Sequence, residues 1–139
     1  MLKEIAAIFV LVTSSGPFLL SSLTAQPVLG IQEKWTAPAW ADTLQNPYPF
    51  EPLTLPQGEE LYSIYCRSCH GKEGRGDGAV GRTLATRPAN FHDDLTKSQS
   101  DGALFWKITS GNKGMPAYKE QFSEEQRWQL VAYIRELIK

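Results

Sequence analysis

The chain has 139 residues, 42% of them hydrophobic, and a formal net charge of −1. That length accommodates one small domain with extensions. The composition excludes a wholly disordered chain, and the near-neutral charge excludes a bulk nucleic-acid binder.

Residues 1–25 do not read as globular sequence. After Glu4 no charged side chain appears until Glu33, Ile5–Val12 is an apolar run, and Leu23-Thr24-Ala25 ends on a small residue like a signal-peptidase site. A cleaved signal peptide is predicted. The alternative is a retained N-terminal anchor, since Ile5–Ala25 approaches the ~20 residues needed to cross a bilayer. No cysteine lies near the cut, which excludes a bacterial lipid anchor. Either way the remainder is expected to be exported, to the periplasm or to the periplasmic face of the cytoplasmic membrane.

Residues 26–55 form an arm; Gln26–Pro56 holds six of the nine prolines, so the arm should run extended with at most a turn of helix. Its aromatics, Trp35, Trp40, Tyr48 and Phe50, either pack back on the domain or dock a partner. Residues 56–139 form the domain, in which three helices are predicted. Gln57–Cys69 places Leu61, Ile64 and Tyr65 at helical spacing, with Glu59 and Glu60 in its first turn. Asp101–Ser110 has Ser100 as an N-cap and Gly111 as its stop. Glu124–Lys139 opens on a capping-box pattern, Ser123-Glu-Glu-Gln126, and carries a stripe of Leu130, Tyr133, Ile134 and Leu137, with Val131 and Ile138 beside it. Nothing alternates like a strand, so the domain is all-α. Its loops, Gly71–Gln99 and Gly111–Phe122, are long for so small a domain and call for something large to pack against.

The chemistry concentrates in YCRSCHGKEGRGDG, Tyr65–Gly78, which holds both cysteines and one of the two histidines. Cys66 and Cys69 fall on one face of a helix, with His70 directly behind. Two thiols so placed form thioethers with the two vinyl groups of haem, and the adjacent imidazole then lies under the iron; Cys-x-x-Cys-His is the spacing of c-type haem attachment. The rival readings are weaker. Zinc wants four ligands, and only His92 is at hand beyond a crowded Cys69–His70 pair. A thioredoxin-like dithiol needs a βαβ context. A disulfide across two residues closes a tiny loop and leaves His70 unexplained. A six-coordinate haem also needs a distal ligand, and Met is the common c-type partner of His. Of the two methionines Met1 is the initiator, which leaves Met115 in GNKGMPAY; His92 is the imidazole alternative.

With these residues in place the sequence resembles a monohaem class I cytochrome c over Pro56–Lys139. The resemblance implies the class I fold, helices and long loops around one covalently attached haem c, bound by Cys66, Cys69, His70 and Met115, with iron ligated by His70 and Met115. It also implies a close helix crossing in which Gly58 and Tyr62 meet Tyr133. The carbonyl of Pro88, in RPANF, is implied as the acceptor for the second nitrogen of the proximal imidazole. The Trp/Pro arm, CHGKEGRGDG, RPANF, DGALFWKITSGNKGMPAY and EEQRWQLVAYIR together resemble small monohaem cytochrome c subunits of bacterial respiratory complexes, such as the monohaem component of quinol-oxidising alternative complex III.

Other features receive plainer readings. Gly76–Gly81 fits the letters Gly-x-Gly-x-x-Gly, but a dinucleotide fingerprint requires a strand before it. Phe105 and Trp106 are expected to pack against haem, with an electron-conduit role as the alternative. Arg87 either pairs with a haem propionate or stays solvated. From Cys66 to Lys119 there are nine Lys or Arg against five Asp or Glu, whereas Gln26–Tyr65 has one against five. A basic haem-bordering surface favours an acidic redox partner, chiefly through encounter rate. The expected function is one-electron transfer, as a carrier or relay in a bacterial respiratory chain. The alternative is an integral subunit of a membrane quinol-oxidising complex. Haem catalysis of the peroxidase kind needs an open distal site, which the Met115 loop argues against; the chain is read as no enzyme.

Overall fold

The computed structural model describes residues 35–48 and 54–139. The segment expected to be a leader, residues 1–25, and the arm's Phe50 lie outside the described residues. Five α-helices follow in order: α1 (Thr54–Leu61), α2 (Arg67–His70), α3 (Asp94–Lys97), α4 (Asp101–Ser110) and α5 (Glu124–Leu137). No strand occurs among the described residues, only an isolated bridge between Asn112 and Met115.

The two longest helices begin where their caps place them. The Ser100 hydroxyl accepts from the Ala103 N–H at the start of α4, and Gly111 ends it. At α5, Ser123 and Gln126 bond reciprocally, so two of the otherwise orphaned amide groups of the first turn are satisfied. Leu130 and Val131 are each 1% exposed and Ile134 is buried, while Tyr133, Leu137 and Ile138 flank them as half-buried neighbours.

The first helix differs from expectation in two ways. It starts at Thr54 rather than Gln57, because Pro56 sits in the first turn, where a missing N–H costs nothing. It then continues into α2 through a π-helical turn, Tyr62–Cys66, in which the Arg67 N–H reaches back to the Tyr62 carbonyl. The buried face is set by Gly58 and Tyr62. Ile64, two residues on from Tyr62, falls on the far side of the helix and is 62% exposed. The expected stripe through Ile64 is therefore wrong, and the π turn carries Cys66 onto the core side instead.

Helix α1 packs chiefly on α5, and α4 also lies against α5. Between them sits one cluster containing Tyr62, Phe91, Leu104, Phe105, Ile108, Tyr118, Phe122, Trp128, Leu130, Val131 and Ile134. Phe105 stacks on Trp128 at 4.2 Å. The arm forms a short 3₁₀ turn, Ala39–Thr43, that rests on α4 with Ala41 fully buried. Trp35 meets Trp106 at 6.2 Å under the Lys107 ammonium, and Asp42 accepts from Ser100 Oγ at 2.5 Å. Trp40 alone among the described arm aromatics stays well exposed, at 57%. Packing back thus accounts for Trp35 and Tyr48 but not for Trp40.

Candidate functional site

The π turn and α2 together present Cys66, Cys69 and His70 within five residues. Neither cysteine is in a disulfide and both are half-buried; the Ser68 hydroxyl donates to Cys69 Sγ at 3.9 Å. Burial, with Cys69 adding to it, pushes the Cys66 thiol up to about 12. Among the described residues no group of three or more His, Cys, Asp or Glu side chains is placed to hold a metal ion, which disfavours zinc.

His70 is fixed from two directions. Its Nδ1 faces the Ala89 carbonyl at 3.3 Å, and its ring stacks on Phe91 at 4.7 Å with 23° between planes. Burial lowers the His70 pKa below the usual range, opposed by the bond to Ala89. A neutral ring donating from Nδ1 leaves the Nε2 lone pair free for a metal. The acceptor is thus Ala89, one residue beyond the expected Pro88. The Pro88 carbonyl is turned instead against Gly76.

The glycine-rich loop wraps the same turn from outside. Gly76 N–H donates to the His70 carbonyl at 2.8 Å, Gly78 N–H to that of Cys69 at 3.1 Å, and Val80 N–H to that of Ser68 at 3.0 Å. A helix precedes this loop and no strand does, so the dinucleotide reading has no structural context here.

Met115 approaches in a backbone-braced loop. Its N–H and C=O both pair with Asn112, at 2.9 and 2.8 Å, and the Tyr118 N–H reaches the Ile108 carbonyl at 3.1 Å. The Met115 thioether packs on the same cluster as Cys66. Tyr118, three residues on, is pushed up to about 12, first by burial and then by its neighbours Cys66 and Cys69. Its hydroxyl donates to the Tyr65 carbonyl at 3.4 Å, which brings the Met115 loop onto the turn of the cysteines. His92 is used elsewhere: its Nε2 bonds the Glu73 carbonyl at 2.8 Å. Arg87 is exposed. Two cysteine sulfurs outside any disulfide, an imidazole with one nitrogen already engaged and a half-buried thioether on the same cluster are donor types that fit haem c.

Sequence reasoning did not single out Phe91, Ala89 or Tyr118. The first two sit in RPANF, nineteen or more residues from His70, and only the path of the intervening loop brings them back.

The chain is similar in sequence and fold to several known proteins. A cytochrome c6-like protein of Nostoc sp. is 28% identical over 82 residues, which cover 57% of this chain and 67% of that protein. A chain of the Kuenenia stuttgartiensis reducing HAO-like protein complex superposes with a TM-score of 0.59 at 28% identity over 68% of this chain; the match spans only 48% of that larger chain. The KustC0563 c-type cytochrome gives 0.52 at 30% identity, over 59% of this chain and 98% of its own length. Residues 54–134 match the family described as cytochrome c oxidase, cbb3-type, subunit III. The chain belongs to that family and is a monohaem cytochrome c with the all-α class I fold and covalently bound haem c.

Proposed function

We propose that this haem-based electron-transfer protein is a one-electron carrier outside the cytoplasmic membrane, its haem held by thioethers from Cys66 and Cys69 and its iron ligated by His70 and Met115. One observation carries the reading: the π turn and α2 present both cysteine sulfurs, neither in a disulfide, beside an imidazole whose Nδ1 is already engaged by Ala89. The haem supplies the ferrous–ferric couple, and the protein supplies retention, orientation and burial. Cys66 and Cys69 retain the group, Ala89 fixes the tautomer of His70, and Asn112 braces the Met115 loop so that little moves when charge changes. Lys72, Arg75, Arg82 and Arg87 are all exposed on the loop after the motif, which suits an acidic redox partner.

Thioether attachment has a direct test. Extraction of matured protein with acidified organic solvent should leave the pigment on the polypeptide, whereas a Cys66→Ala/Cys69→Ala double variant should release it all. Pigment that leaves the wild-type chain defeats the reading.

A second reading, a relay subunit fixed in a membrane quinol-oxidising complex, is favoured by Trp40, which is 57% exposed on a turn anchored to α4. One structural relative is itself a chain of a protein complex. Gel filtration of the native protein separates the two. A free small species is expected for the carrier, and constant co-elution with larger chains would favour the relay.

A further inference from the structure

The hydrogen bond from His70 to Ala89 fixes which nitrogen carries the proton, but at 3.3 Å it is longer than the usual 2.9–3.0 Å and is the weaker of the two restraints on the ring. The face of the imidazole is held by a different group. Phe91 lies on it at 4.7 Å, nearly parallel, and is itself only 7% exposed. We infer that Phe91 is a positioning residue: its ring sets the rotational angle of the His70 imidazole about its metal-binding bond, and so helps set the electronic state and potential of the haem. This rests on His70 being an axial ligand.

The surroundings of Phe91 are built to keep it in place. Its N–H donates to the Gly74 carbonyl at 2.7 Å. Gly74 has φ +71°, and a Cβ there would run into the Phe91 ring, with Cγ at 3.2 Å; glycine gives both the turn and the space. Behind it, Tyr62 meets Phe91 edge-on at 6.4 Å, and the Tyr62 hydroxyl donates to the Gly71 carbonyl at 2.7 Å. Tyr62 in turn abuts Tyr133 of α5 at 5.3 Å. The neighbouring His92 ties the same two segments through Glu73. A line of rings thus runs from the α1–α5 crossing to the imidazole, and Phe91 is its last member.

An aromatic face carries the negative part of the ring quadrupole, which favours a partner gaining positive charge. An axial imidazole is more positive when the iron is ferric, so the ring should hold the potential below that given by an aliphatic side chain of similar size.

The test uses the holoprotein with Phe91→Leu and Phe91→Tyr. Haem-methyl shifts in the paramagnetic NMR spectrum of the oxidised form report the imidazole angle, and a redox titration reports the potential. Phe91→Leu should keep both axial ligands, reorder the methyl shifts and raise the potential, while Phe91→Tyr should restore both toward the wild-type values. If Phe91→Leu does not mature, Phe91→Met, which has similar bulk and no ring, is read in the same way. Methyl order and potential unchanged in the ring-less variant overturn the inference while leaving the ligand assignment intact. A wild-type spectrum without histidine ligation overturns the assignment, and the inference with it.

Discussion

Met115→Ala is expected to leave the haem attached, since neither cysteine is touched, but to lower the reduction potential by roughly 0.1–0.2 V, a fraction of the ~0.8 V that axial ligation spans. A neutral, soft thioether favours the ferrous state, and water or an empty position in its place does not. The fold should survive. The loop is braced by backbone bonds, Asn112 with Met115 and Tyr118 with Ile108, that the substitution leaves in place. Met115 is only half-buried, so the packing loss should stay at or below about 2 kcal/mol, the low end for a core truncation. The vacated position should also bind cyanide more tightly than the parent does. Spectroelectrochemistry with a cyanide titration checks both effects. An unchanged spectrum and potential would exclude Met115 as the ligand, and His92→Ala would then be the decisive variant.

The parts of this site that were legible in the sequence are those fixed by local chemistry. That Cys66, Cys69 and His70 stand together follows from their spacing alone. Ser100 and Ser123 mark helix starts because a hydroxyl can satisfy an exposed amide only there. What escaped depends on partners distant in the chain or on backbone choices without a side-chain signature. The π turn at Tyr62–Cys66 is an i→i+5 bond pattern that no residue type announces. Pro56 reads as a breaker, yet it is accommodated in the first turn of α1. Ala89 rather than Pro88 meets His70 because the loop from Gly71 is pinned to the Cys69–His70 backbone, and that register decides which carbonyl arrives. Aromatic content left the arm as either a packing or a docking element, and only the path of Ala39–Thr43 over α4 separates buried Ala41 from exposed Trp40.

The largest effect on stability is expected at Gly58. A Cβ there would overlap the Gln129 backbone carbonyl and come within 2.9 Å of Tyr133 Cβ. The obstacle is main chain of α5, which cannot rotate aside as a side-chain tip can. Gly58→Ala must therefore push apart the helices whose contact organises the fold, loosening the Tyr62–Tyr133 pair and the ring line behind it. Overpacking typically costs about 1–3 kcal/mol, and a rigid obstacle places this site at the upper end. For a domain of this size each kcal/mol moves the melting temperature by roughly 4–8 °C, so a fall of more than 10 °C is expected. Gly114→Ala is the matched control, because a Cβ there meets nothing within 4 Å. Guanidinium unfolding of the two holoproteins should show a lower midpoint with unchanged slope for Gly58→Ala alone. Equal midpoints would mean that α1 can withdraw from α5 at little cost. The π turn between α1 and the cysteines, the segment best able to absorb such a shift, would then be a compliant joint rather than a fixed seat for the haem.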